Sequence, residues 1–325
     1  MVRRRYRGAP RAGLLVVLVA TSAMLGLAAC RSTAGQGAGS TTTSTTAPTL
    51  ALNQVCGLRA APPPRYDHVV MVVEENRTWA GGRSPGVGMG FSSTTMPYLH
   101  GLARQCSYYT DWYETNGDQN SLNQYVGLTS GVASSSTVND CLPSPTCRST
   151  DDNVFRQIRT AKGTPRSFVD GATTPCSTGT NAAKHIPALY FQGGDDASHC
   201  RDEVRPLPEL DPNRLPTLAF VVPDLCHDGH DCPDDQVDAF AAHILKPILA
   251  GADYRAGRTL IVVVYDEDRP VPNLLIAPTA NPGPISSIAG SHADLLKTVE
   301  EALGLRILDQ GQLPTATSLR PSAHI

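Results

Sequence analysis

His68-Val-Val-Met-Val-Val73 runs straight into Glu74-Glu75-Asn76, and this junction decides the fold. An unbroken run of β-branched and apolar residues has no polar face. It suits a strand buried on both sides, as in a parallel sheet covered by helices. Two further runs repeat the pattern. Leu218-Ala-Phe-Val-Val222 leads through Pro223-Asp224 into Cys226-His227-Asp228-Gly229-His230-Asp231-Cys232, and Leu260-Ile-Val-Val-Val-Tyr265 leads into Asp266-Glu267-Asp268. Asn273-Leu-Leu-Ile-Ala277 reads as a fourth strand. Between them, Val154–Thr160, Asp235–Leu249 and Ser291–Leu305 carry apolar residues three and four apart, and Gly304 stands where the last helix would stop. Alternating strands and helices predict an α/β fold, a three-layer sandwich with a mostly parallel central sheet.

In such sheets ligands bind beyond the carboxyl ends of the strands. One acidic tripeptide after a strand is ordinarily a solvated loop. Carboxylates, an amide and histidines after three strands predict a convergent polar site instead. Oxygen ligands from Asp, Glu and Asn, with histidine nearby, suit one divalent cation: Mg, Mn, Ca or Zn. A fourth element joins the site. Asn120-Ser121-Leu122-Asn123-Gln124-Tyr125-Val126-Gly127-Leu128-Thr129-Ser130-Gly131 reads as a helix opening at Asn120 or Ser121 and capped by Gly131. On the residues alone Ser121 is either a plain N-cap or a nucleophile. A helix N-terminus favours both, because its free N–H groups can bond a capping hydroxyl and, with the dipole, attract phosphate oxygens.

The ends of the chain carry a different message. Met1–Arg11 holds five arginines, and Leu14–Ala29 is an apolar run with small residues at its close. That is the charged, apolar and small-residue layout of a secretory signal over residues 1–29, too short for a transmembrane span. Leu27-Ala28-Ala29-Cys30 resembles the lipobox of bacterial lipoproteins, which implies cleavage before Cys30 and lipidation of its thiol. The expected location is therefore outside the cell, anchored by lipid to the outer face of the cytoplasmic membrane. Residues 30–61, rich in Ser, Thr, Ala and Gly, read as a flexible linker. Residues 62–325 remain for one large domain. Of nine cysteines, eight are left after Cys30, an even number that reads as disulfides in an exported chain. Close spacing suggests Cys141–Cys147 and Cys226–Cys232. Lys and Arg total 27 against 30 Asp and Glu, which argues against nucleic acid as a partner. Oligomeric state is not encoded in any pattern found.

These blocks resemble, in order, the phosphoesterase family of bacterial acid phosphatases and phospholipases C, itself alkaline-phosphatase-like. Val72-Val73-Glu74-Glu75-Asn76-Arg77-Thr78-Trp79 resembles its strand followed by Glu-Asn-Arg-Ser. Ser121-Leu-Asn-Gln-Tyr125 through Thr129-Ser-Gly131 resembles His-Pro-Ser-Leu-Pro-Asn-Tyr with its terminal Ser-Gly. Lys184-His185-Ile186-Pro187 resembles Lys-His-Asn-Pro, and Pro223–Cys232 resembles Pro-Asn-Leu-Cys-Asn-Asp-Met-His-Asp. Asp266-Glu267 and Ser291-His292 match the last two blocks. The resemblance implies a metal-dependent phosphoesterase, most simply a phosphomonoesterase working through phosphoserine. Phosphodiester or phospholipid cleavage, or an inactive lipoprotein that binds a phosphorylated ligand, are its alternatives. Glu75, Asn76, Asp266 and Glu267 would hold the metal, with Asp228 as ligand or support. Ser121 would attack phosphorus, and His230 and His292 would meet the phosphoryl oxygens or leaving group. Gln119 replaces the family's histidine and Gln124 falls in its Pro-Asn position. Both, with His185, are expected to bind the phosphate ester rather than move protons.

Overall fold

Parallel pairing of apolar runs builds the centre of the molecule, seen in a computed structural model that describes residues 54–78, 91–115, 120–134, 136–179 and 183–325. The expected signal sequence, Cys30, most of the linker, Trp79 and Gln119 lie outside these residues. In chain order come β1 (His68–Glu74), α1 (Pro97–Ala103), β2 (Ser107–Tyr109), β3 (Trp112–Tyr113) and α2 (Ser121–Ser130). Next are α3 (Val154–Thr160), β4 (Pro165–Val169), α4 (Cys200–Glu203), β5 (Val204–Pro206) and β6 (Leu218–Val222). The chain then forms α5 (Asp234–Ala250), α6 (Ala252–Arg255), β7 (Thr259–Tyr265) and β8 (Asn273–Ile276). It ends with β9 (Gly283–Ile285), β10 (Gly290–Ser291), α7 (His292–Leu303) and α8 (Arg320–Ala323).

Eight strands form one sheet in the order β5-β4-β6-β1-β7-β8-β2-β9. β5, β4, β6, β1 and β7 are parallel, while β8 runs antiparallel to β7 and to β2. Every residue of β6 and β7 is buried, so helices cover both faces, as the unalternating runs predict. On one face α2 and α3 bring Tyr125 and Phe155 onto Phe220 of β6, with ring centroids 6.3 and 6.2 Å apart. On the other, α1 packs against α5. Asp238 of α5 accepts the N–H groups of Tyr98 and Leu99 at 2.9 and 2.8 Å, capping a seven-residue helix that has no side-chain cap of its own.

The four strands and four helices read from the sequence all form, with ends within two residues. Four disulfides link Cys56–Cys106, Cys141–Cys147, Cys176–Cys200 and Cys226–Cys232. The linker expected to reach residue 61 ends sooner. Val55 and Cys56 are buried, Cys56 is bonded to Cys106, and the Leu58 N–H donates to Pro278 O at 2.6 Å. Residues 54–61 therefore belong to the folded unit. Among the described residues no helix is long and apolar enough to cross a membrane.

Candidate active site

The register of β1 and β7 sets Val73 beside Val264 and Glu74 beside Tyr265, so Glu75 and Asp266 leave the sheet together. The Asp266 N–H closes the junction on Glu74 O at 3.0 Å. Asn76 takes a left-handed φ of 50°, which asparagine tolerates better than most residues, and its N–H donates to Asp266 Oδ1 at 3.2 Å. The loop after β6 docks alongside, with the Glu75 N–H donating to Asp228 O at 2.8 Å. Buried Arg77 pins that loop, donating from Nη2 to Gly229 O at 2.7 Å and from Nε to Asp234 Oδ1 at 3.0 Å. Gly229 has φ 95°, and an added Cβ would stand 3.1 Å from Val237 and 3.3 Å from Arg77. Only glycine suits that position.

α2 delivers the serine. Asn120 is its N-cap but makes no side-chain capping bond. Asp140 supplies one instead, its Oδ1 accepting the Leu122 N–H at 3.0 Å. Ser121 is thus free of capping duty, and its hydroxyl donates to Glu75 Oε2 at 3.0 Å. Lys184 Nζ donates to Ser121 Oγ at 3.2 Å and to Asp140 Oδ2 at 3.3 Å. Under the serine, His185 stacks on Tyr125 with centroids 5.0 Å apart and planes 9° off parallel. Its Nε2 lies 3.0 Å from Glu75 Oε1 and its Nδ1 3.2 Å from Asp228 Oδ2. The ring N–H directions miss hydrogen-bond alignment, so this pairing is by charge.

Charge balance defines what the site lacks. Glu74, Glu75, Asp228, Asp266 and Glu267 are all buried, against Arg77, Lys184 and His185. Burial alone would raise Glu75, but His185 and then Lys184 outweigh it and lower its pKa to about 2. Burial lowers His185, yet Glu75 and Asp228 outweigh that and lift it to about 9. Asp266 stands well above the carboxylate range because it is buried beside Glu75 and Glu267. Glu74 is raised by burial and then by Asp228. Glu75 Oε1, Asn76 Oδ1, Asp228 Oδ2 and Asp266 Oδ2 are buried without a hydrogen-bond partner. Without hydrogen bonds, all-oxygen and short of positive charge, this set fits a hard divalent cation.

Other predicted residues stand differently. His292 is buried, with Nδ1 accepting from Trp112 Nε1 at 3.0 Å and Nε2 donating to Asp266 O at 2.6 Å. Burial lowers its pKa to about 4. The expected phosphoryl contact is therefore corrected: with both nitrogens engaged, His292 holds the Asp266 backbone. Gln124 is buried and its Oε1 accepts the Thr115 N–H at 2.7 Å, which braces a loop. His185 sits beneath two carboxylates and not at a substrate surface. His230 is on the half-exposed rim, its Nδ1 2.8 Å from Asp231 Oδ1, and Glu267 is buried beside Asp266.

Among the described residues, Asp170, Asp224 and His227 bring three ligand atoms within 4.8 Å of one another, outside the predicted set. His227 Nδ1 is 2.7 Å from Asp170 Oδ2 and 3.2 Å from Asp224 Oδ1. Asp170 directly follows β4, which no long apolar run announces. Asp140 and Lys184 also escaped a role. Lys184 was visible in its block, whereas Asp140 carries no sequence signal.

A serine at the start of a helix thus stands beside carboxylates at the ends of central strands, and the sequence profile of the Phosphoesterase family matches residues 86–299. The chain belongs to the Phosphoesterase family. As a member it is a phosphoric ester hydrolase. The matched span begins after Glu75-Asn76 and takes in Ser121, Asp228, Asp266 and His292. A phosphatidylinositol-3-phosphatase of Mycobacterium tuberculosis is 28% identical over 260 residues, 77% of this chain and 81% of that protein. Among solved structures, an alkaline phosphatase superfamily protein from Vibrio parahaemolyticus aligns with TM-score 0.52 and 13% identity, over 76% of this chain and 69% of that one. A putative sulfatase from Bacteroides thetaiotaomicron gives 0.53 and 10%, over 80% and 75%. Both likenesses support the alkaline-phosphatase-like sandwich.

Proposed function

We propose that this member of the family is a phosphomonoesterase that transfers phosphate to Ser121 and then to water. One observation carries it: the Ser121 hydroxyl, at the start of α2, is held at 3.0 Å by a carboxylate that leaves the central strand. Glu75, Asn76, Asp266 and Glu267, with Ser121, would hold one dication, and Asp228 would support them. Such an ion favours the serine alkoxide and neutralises phosphate oxygens. Glu75 fixes the hydroxyl, and His292 fixes the Asp266 backbone. His230, on the rim, is free to approach the leaving group.

The M. tuberculosis relative is named as a phosphatase of a phosphoinositide, which favours a monoester carried on a lipid over a phospholipid diester. Lipidation of Cys30 would hold the domain within reach of such a substrate. Purified protein should hydrolyse p-nitrophenyl phosphate and release phosphate from phosphatidylinositol 3-phosphate, leaving p-nitrophenyl phosphorylcholine nearly untouched. Chelation should abolish turnover, and Glu75→Gln and Asp266→Asn should lose metal and turnover together while staying folded. Full metal content in both variants would show that these carboxylates are not ligands. Faster turnover of the diester would make the enzyme a phosphodiesterase.

A further inference from the structure

We infer that Lys184 is a catalytic residue of the transfer to Ser121 and that Asp140 positions it. This deepens the phosphoserine reading and rests on it. Three contacts close around the nucleophile. Lys184 Nζ lies 3.2 Å from Ser121 Oγ, the same Nζ lies 3.3 Å from Asp140 Oδ2, and Asp140 Oδ1 takes the N–H of Leu122, the next residue along. One carboxylate thus fixes both the start of the helix that carries the serine and the ammonium that faces it.

An exposed lysine–aspartate pair would contribute little, about 0–1 kcal/mol. This lysine is different, because its side chain is only 15% exposed and its charge lies against an oxygen that must become negative. Ser121 gives its own hydrogen to Glu75 Oε2, so the lone pairs of Oγ are what Lys184 contacts. As attack begins, the Oγ–P bond forms and the ester P–O bond breaks. The electron pair leaves on the alcohol oxygen, and the serine proton ends there. Lys184 keeps its protons throughout. Its N–H stabilises charge on Oγ early, then reaches a phosphoryl oxygen of the group now attached to Oγ. A fixed donor aimed at developing charge is the arrangement that gives electrostatic catalysis its size. The lysine belongs to a block whose histidine lies buried beneath Glu75, so Lys184 is the member of that pair that fronts the nucleophile.

Three variants of the full exported chain test the assignment, with orthovanadate as a phosphate mimic. Lys184→Met should lower kcat on p-nitrophenyl phosphate by about 10²–10³-fold, the loss typical of one such donor. Vanadate binding, followed by calorimetry, should weaken at least about tenfold, while metal content stays at the wild-type level. Lys184→Arg should regain at least about tenfold over Lys184→Met, since its charge and reach are similar. Asp140→Asn keeps an oxygen for the Leu122 N–H but loses the anion beside Nζ, and should reduce kcat more than it changes KM. A kcat within about threefold of wild type in folded Lys184→Met overturns the inference. So does Lys184→Arg behaving no better than Lys184→Met. If Lys184→Met fails to fold, Asp140→Asn decides, and unchanged kcat and vanadate affinity there overturn the assignment. Wild-type protein without turnover would instead refute the phosphatase reading itself.

Discussion

At the residue scale, Ser121 is defined by what its hydroxyl does not do. Asn120 takes the N-cap position and Asp140 takes the orphan Leu122 N–H, leaving the Ser121 hydroxyl to Glu75 and Lys184. Ser121→Ala should therefore cost stability modestly, about 1.5–3 kcal/mol for a buried bond to a charged group, and lower turnover by several powers of ten. Urea unfolding and steady-state kinetics measure the two. Thr115 and Ser149 lie elsewhere: Thr115 packs under Gly127, where a Cβ would approach its Oγ1 to 2.1 Å, and Ser149 bonds Asp151 at 2.6 Å. Their alanine variants should keep most activity, and acid-trapped phosphate should sit on the Ser121 peptide. Label on Ser149 or Thr150 would move the nucleophile. Glu75, Asn76 and Asp266 were legible in the sequence because neighbouring strands end in register. His292 and Gln124 were legible as residues but not in role, since a side chain's direction depends on partners such as Trp112 and Thr115 that spacing does not reveal.

Helices and strands differ in how openly the sequence declares them. β1, β6 and β7 are long apolar runs, whereas β4 is Pro165-Arg-Ser-Phe-Val169 and gains its strand state by pairing with β6. Missing β4 meant missing Asp170. α7 shows a second hidden feature. Its amphipathic spacing was plain, but Glu300 is wholly buried and accepts the Leu308 N–H at 3.1 Å, stitching the chain after the helix to it. Burial raises this carboxyl to about 7. An acid raised in the folded state is favoured while protonated, so stability is lost as pH rises from the unfolded value near 4.5 through about 7. Glu300→Gln keeps an acceptor for Leu308 and removes the titration. Its thermal midpoint should match wild type near pH 4 and exceed it at pH 8, by about 1–3 kcal/mol in stability. A midpoint difference that does not change with pH would show that Glu300 is ionised in the fold throughout.

At the scale of the whole molecule, the four disulfides are what a chain that folds in an oxidising compartment would carry, so export remains a proposal to be tested at the N-terminus. The Cys56–Cys106 bond and the contact of Leu58 with Pro278 set where any tether must enter the fold, a few residues earlier than composition suggested. If Cys30 is lipidated, residues 31–53 would separate it from the domain. Each buried methylene of an acyl chain contributes about 0.8 kcal/mol, and two chains make attachment effectively lasting. Wild-type protein expressed in a bacterial host should enter the detergent phase with the membranes, and Cys30→Ser should stay in the aqueous phase. Because the anchor is far from Ser121 in sequence, kcat on soluble p-nitrophenyl phosphate should be equal in both forms. Turnover of a phosphoinositide in vesicles should fall in Cys30→Ser, through the lost local concentration of enzyme at the lipid surface. Equal partitioning of the two forms would remove the anchor. Equal vesicle turnover with unequal partitioning would mean that the anchor serves location alone.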